Sequence, residues 1–123
     1  MEESNEIAAA KAELYADAEQ IYERARHEVT IERKDGSEQR YAATRFKQQI
    51  DRGRSDGTIV STVAHIVRRR TVGFGHLEAA KRPDLMLEVL ILDESKSYHR
   101  LFSPTTIEIA RERMEEYRRR NPG

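Results

Sequence analysis

A chain of 123 residues with 22 Lys+Arg, 22 Asp+Glu and no cysteine is long enough to bury a core without metals or disulfides. Its balanced charge gives no global field toward nucleic acid or anionic lipid, so any such binding needs a local basic patch. The lack of cysteine removes disulfides, thiolate nucleophiles and thiolate metal sites, and fits a reducing, cytoplasmic setting. The acidic start is not a secretory leader, and no apolar run nears the roughly 20 residues that span a bilayer. These limits predict one cytoplasmic domain over residues 1–123, with 1–5 and 121–123 as disordered tails and no membrane partner.

Residues 6 to about 27 carry Ile7, Ala10, Leu14, Ala18, Ile21, Tyr22 and Ala25 at three- and four-residue steps, which predicts an amphipathic helix. Ser4 or Asn5 can cap its first turn, and Arg24, Arg26 and His27 suit its C-terminal end. Val29 to Arg33 and Glu38 to Ala42 flank Asp35-Gly36, a tight-turn signal that predicts a small exposed hairpin. A lone hairpin is marginal and must lean on the helices.

Helical spacing returns at Thr44 with Phe46 and Ile50. The run Arg52-Gly53-Arg54-Ser55-Asp56-Gly57 breaks it, and Ile59, Val63, Ile66 and Val67 resume it up to Arg68-Arg69-Arg70. Two short helices joined by a glycine-containing turn have the form of a helix-turn-helix, but most such pairs are plain packing units. Residues 73–82 form a further short helix with Phe74 and Leu77, interrupted by Pro83. Asp84 then caps a helix from Leu85. The run from Leu85 to Leu92 is the longest apolar stretch, and local pattern alone leaves it open between helix and buried strand. Thr105 with Glu108 reads as a capping box, with Pro104 at the helix entrance and Ile107, Ala110, Met114 and Tyr117 on one stripe.

Candidate chemistry is sparse. Pro83-Asp84 followed by Glu94-Ser95-Lys96 has the spacing of a Mg²⁺-dependent nuclease, in which acidic groups hold the metal and a lysine assists water. Here the second half is wholly polar and reads as a loop. The histidines at 27, 65, 76 and 99 form no metal-ligand pair, so no metal and no cofactor is expected. Glu88, the one charge in its apolar run, must pair with a cation, face solvent or hold its proton. Arg82 and Arg45 are its expected partners. Arg68, Arg69, Arg70, Arg118, Arg119 and Arg120 sit at helix ends, where the dipole favours them. Brought together they would form a phosphate-binding patch.

The residues Tyr41-Ala42-Ala43-Thr44-Arg45-Phe46, Gly73-Phe74, Leu77, Arg82-Pro83-Asp84-Leu85, Glu88, Leu90, Leu92, Leu101-Phe102-Ser103 and Ile109-Ala110-Arg111-Glu112-Arg113 resemble the pattern of a family of small, largely uncharacterised bacterial helical domains. The resemblance runs from about Ile21 to Tyr117, with the hairpin as an insertion. The chain departs from it at Ala42, Glu78 and Met86, where the family has Asn, Trp and Ser or Thr. The resemblance implies a mainly helical fold, and so a helix at Leu85–Leu92, but no activity. Members stand alone or attached to larger proteins, some near restriction or defence systems.

Together these readings predict a mainly α protein, a compact bundle of five to six helices with one hairpin near residues 29–41. The leading functional expectation is a non-enzymatic interaction module that self-associates or binds a larger protein. A nucleic-acid-binding accessory protein working through the arginine clusters is the alternative, and the nuclease a remote one.

Overall fold

A computed structural model describes residues 4–41, 43–69, 72–96 and 98–122, the side chains of 72–74 apart. Its elements, in order, are α1 (Asn5–Glu28), β1 (Thr30–Glu32), β2 (Glu38–Arg40), α2 (Thr44–Asp56), α3 (Ile59–Arg69), α4 (Val72–Ala79), a 3-10 turn (Pro83–Leu85), α5 (Leu87–Leu92), a second 3-10 turn (His99–Leu101) and α6 (Pro104–Arg120). The mainly α bundle with one small antiparallel hairpin is therefore what the sequence leads one to expect. Ala42, Arg70 and the side chain of Phe74 lie outside the described residues.

The long helix α1 is the spine. Ser4 accepts a hydrogen bond from the Ile7 N–H, as a cap should. Ala10, Leu14, Tyr15, Ala18 and Ala25 form its buried stripe. The last helix, α6, starts at Pro104 and buries Ile107, Ala110, Met114 and Tyr117. Its cap is Ser103, whose side chain accepts from the Thr106 N–H, and Thr105 lies already inside the helix. The expected Thr105–Glu108 box is thus displaced, because Pro104 fits the first helical position and puts the capping role one residue earlier.

Two apolar clusters share these helices. One gathers Leu14 and Ala18 of α1, Ile50 of α2, Ile59, Val63 and Val67 of α3, Leu87 and Ile91 of α5, with Tyr98, Phe102 and Ile107. The other joins Ala25, Val29, Leu77, Leu85, Met86, Met114 and Tyr117 at the far end of α1 and α6. The hairpin pairs Thr30 with Arg40 and Glu32 with Glu38. It leans on this second cluster through buried Val29 and through Tyr41, whose ring lies 5.5 Å from that of His76.

The apolar run at 85–92 is helical but begins later than expected. Pro83–Leu85 is one 3-10 turn, Met86 is extended, and α5 runs from Leu87. No side chain caps it, so Asp84 is not a cap. The break before it lies at Lys81, which takes a left-handed backbone (φ 56). There the Arg82 and Lys81 N–H groups close the end of α4 onto Leu77 and Glu78 carbonyls, a Schellman closure normally given to glycine.

The break between α2 and α3 is also narrower than expected. Although Gly53 lies in the sequence run that looks like a linker, α2 continues through it to Asp56. The chain turns only at Gly57 (φ 72), again with a Schellman closure from Thr58 N to Gly53 O and from Gly57 N to Arg54 O. Gly53 is there for packing. A Cβ on it would stand 2.7 Å from Thr62 Oγ1 and 3.2 Å from Ile59 Cα, so its bare backbone is what lets α3 close onto α2.

Candidate functional site

Glu88 is only 5 % exposed. Its partner is Arg113 of α6, with Nη1 3.1 Å from Oε2, and neither Arg82 nor Arg45 takes that role. Helix α5 packs along α6, which brings Arg113 to it, whereas Arg82 is held elsewhere and Arg45 is exposed on α2. Burial pushes the Glu88 carboxyl above its usual range, and Arg113 offsets this only in part. Arg113 also donates to the backbone carbonyl of Arg68, and Arg68 in turn donates to Thr106 and Ser103 at the start of α6. Glu88 is thus one link in a polar seam through α5, α6 and α3.

Asp84 and Arg82 pair with each other at 2.9 Å and with α1: Arg82 with Glu28, Asp84 with Arg24. The Arg82 guanidinium holds the Asp84 carboxyl below its usual range. Lys96 is engaged far from there, with Glu13 at 3.1 Å and Asp17 at 3.4 Å. The α1 partners of Asp84 and of Lys96 are seven to eleven residues apart along the helix, about 10–16 Å. The two ends of the nuclease-like motif are therefore held apart. Glu94 lines a shallow open recess with Lys96, His99 and Arg100, and Arg100 is itself tied to Glu6. Among the described residues no group of His, Asp and Glu gathers as metal ligands would.

Arg68 reaches Thr106 with its side chain and Arg113 with its carbonyl, twelve and five residues before Arg118 on α6, and Arg70 lies outside the described residues. Arg120 is occupied by Glu78, with Nε 2.8 Å from Oε2; Arg69, Arg118 and Arg119 are exposed. The position expected of the C-terminal tail is also taken into the fold, since Asn121 donates to the Tyr117 carbonyl and to Glu78.

Sequence reading missed the polar lock between α1 and α2. The Tyr15 hydroxyl donates to Asp51 at 2.6 Å, with Glu19 2.9 Å from the same oxygen, and Lys47 reaches Asp51 at 2.7 Å and Glu19 at 2.9 Å. Arg54 lies over the Tyr15 ring, 4.8 Å from its centroid. Hydrogen bonds to Asp51 and then Glu19 raise the Lys47 pKa, and those from Lys47 and then Tyr15 lower the Asp51 carboxyl's. The signal was present as two four-residue pairs, Tyr15 with Glu19 and Lys47 with Asp51. Their meeting across two helices was not.

The outer side of α2 and α3 is among the exposed faces of the molecule. The inner side of α3 buries Ile59, Val63 and Val67. Its opposite side exposes Ser61, His65, Arg68 and Arg69. On α2, Arg45 and Arg52 are exposed two turns apart. They lie on the flank away from Lys47, Asp51 and Arg54, which face α1. The arrangement offers cations and small hydrogen-bonding side chains on a packed pair of helices. Compared with protein-family models, curated proteins and solved structures, the chain matches none.

Proposed function

We propose that this chain is a non-enzymatic interaction module, a rigid helical body that works by presenting a surface. The observation that carries this reading is the use made of the side chains with catalytic promise. Asp84, Glu88 and Lys96 each sit in a salt bridge that ties two or more elements together. A carboxylate or amine so committed has its lone pairs and protons engaged by the fold.

The test is to assay the purified protein for Mg²⁺-dependent cleavage of nucleic acid, and to follow thermal unfolding in Asp84→Asn, Glu88→Gln and Lys96→Met. The expected result is no turnover with the wild type and changes confined to stability. Cleavage that Asp84→Asn abolishes would overturn the reading. Light scattering over a concentration series adds the oligomeric state, with a reversible dimer as the expected form of self-association.

A further inference from the structure

We infer that α2 and α3 form a helix-turn-helix that docks on duplex DNA, with α3 entering the major groove. This rests on the reading of the chain as an interaction module and names its partner.

Three observations carry it. The first is the turn. Helices α2 and α3 are joined by only Gly57 and Thr58, with Gly57 left-handed, and Gly53 lets the two backbones close up. The N-terminal half of α3 is thereby fixed against α2, and α1 packs across both helices. A pair of helices braced by a third is the frame that presents a helix to a groove about 12 Å wide.

The second is the chemistry of α3. It is the one described α-helix without a carboxylate. Its exposed stripe, Ser61, His65 and Arg69, runs from small to long side chains. The small hydroxyl side chain allows the first turns to approach base edges, and hydroxyl and imidazole groups can donate or accept there. The arginine at the far end is placed for the rising phosphate backbone.

The third is charge complementarity. Residues 44–69 hold six cations and two carboxylates, in a chain that is neutral overall. One of those carboxylates, Asp51, is paired with one of those cations, Lys47, which leaves five cations and one carboxylate. Arg45 and Arg52 line the flank of α2 that continues the outer face of α3, because both helices turn their opposite sides into the core. Phosphate contacts position such a module, and groove contacts give it register. Arg54 and Arg68 are engaged within the fold, with Tyr15 and with Ser103 and Thr106 respectively.

Three arginine–phosphate contacts, from Arg45, Arg52 and Arg69, imply a slope of log affinity against log salt of about −2.7. That is a loss of about 40-fold between roughly 50 and 200 mM salt. The experiment is fluorescence anisotropy with a labelled mixed-sequence duplex of about two helical turns, on the full chain. Circular dichroism melts confirm that each variant folds. Arg45→Gln with Arg52→Gln should weaken binding and reduce the slope by about 2. Ser61→Asp with His65→Asp should abolish binding, and Arg118→Gln with Arg119→Gln should leave it unchanged. The inference is overturned by no binding at low salt. It is equally overturned by loss of binding in the Arg118/Arg119 variant alone, or by preference for single-stranded RNA over the duplex. Failure here together with a dimer in light scattering leaves the interaction-module reading standing. Cleavage of the duplex with Mg²⁺ brings down that reading instead.

Discussion

Burial raises the Glu88 carboxyl although the Arg113 guanidinium sits 3.1 Å away. Removing water costs a buried ion more than one partner restores, so the pair is better at fixing how α5 sits on α6 than at adding stability. Two substitutions separate these roles. Glu88→Gln removes the buried charge and keeps an acceptor, and should change the unfolding free energy at neutral pH by under about 1 kcal/mol. Arg113→Met strands the carboxylate in the core and should cost about 3 kcal/mol. Chemical denaturation of both variants checks this, and equal large losses would show that the ion pair itself supplies stability. Sequence reading identified Glu88 as the residue to explain and named two cations, Arg82 and Arg45, where the partner is Arg113. The right one was within reach, since Arg113 lies seven residues after Thr106, on the same flank of a helix whose buried stripe was clear. Which flank would face α5 depends on packing that no local pattern carries.

Helix ends are where the two Schellman closures make opposite use of one backbone shape. At the end of α2 the left-handed residue is Gly57, and at the end of α4 it is Lys81. A residue with a Cβ costs roughly 1–2 kcal/mol in that conformation. Lys81→Gly should therefore raise stability by about 1 kcal/mol, less what the unfolded chain gains in freedom. Gly57→Ala should lower it by a similar amount, although open space surrounds the missing Cβ. Gly53→Ala tests a different cause. Ordinary helix propensity favours alanine by about 1 kcal/mol, but the clash with Thr62 and the Ile59 backbone should turn the net effect into a loss of about 1–3 kcal/mol. Thermal melts of the three variants give the signs. The elements themselves were largely legible, since α1, the hairpin and α6 follow from apolar spacing, Asp35-Gly36 and Pro104. The reading of Arg52–Gly57 as one break failed because a glycine that terminates a helix and one that lets another helix approach look alike in sequence. The start of α5 was misplaced for a similar reason: Asp84 has the side chain of a cap, yet two arginines claim it.

Across the whole molecule the ionic groups set two opposed pH trends. Arg82 lowers the Asp84 carboxyl, Arg24 and then Arg82 lower that of Glu28, and Lys47 lowers those of Glu19 and Asp51. A lowered folded pKa gives stability that is present above the ordinary carboxylate values of 3.8 and 4.5. It is lost as pH falls through the folded values. Glu88 has the other sign. Its proton is bound more tightly in the folded state, so the stability it contributes is complete below 4.5 and declines as pH rises to the raised value. The midpoint of urea unfolding should accordingly fall on both sides of a mildly acidic maximum. Glu88→Gln should flatten the neutral limb and leave the acid limb in place; an unaltered neutral limb would assign that decline to other groups. Among the described residues no helix is long and apolar enough to cross a membrane. The balanced composition announced ion pairing as a theme, yet many partners, such as Lys96 with Glu13 or Arg120 with Glu78, are tens of residues apart in the chain. Only the fold could name them.

The phenol of Tyr98 is fully buried and donates to Asp17 at 2.5 Å, and that of Tyr15 donates to Asp51 at 2.6 Å. With five tyrosines and no tryptophan, tyrosine dominates the intrinsic ultraviolet emission of this chain. An excited phenol becomes a strong acid, and one already bonded to a carboxylate passes its proton across and emits weakly. The native protein should therefore be darker than its unfolded chain, as far as Tyr15 and Tyr98 set its emission. Loss of the α1–α2 lock and of the core around Tyr98 can then be followed as a gain of light, with no label attached.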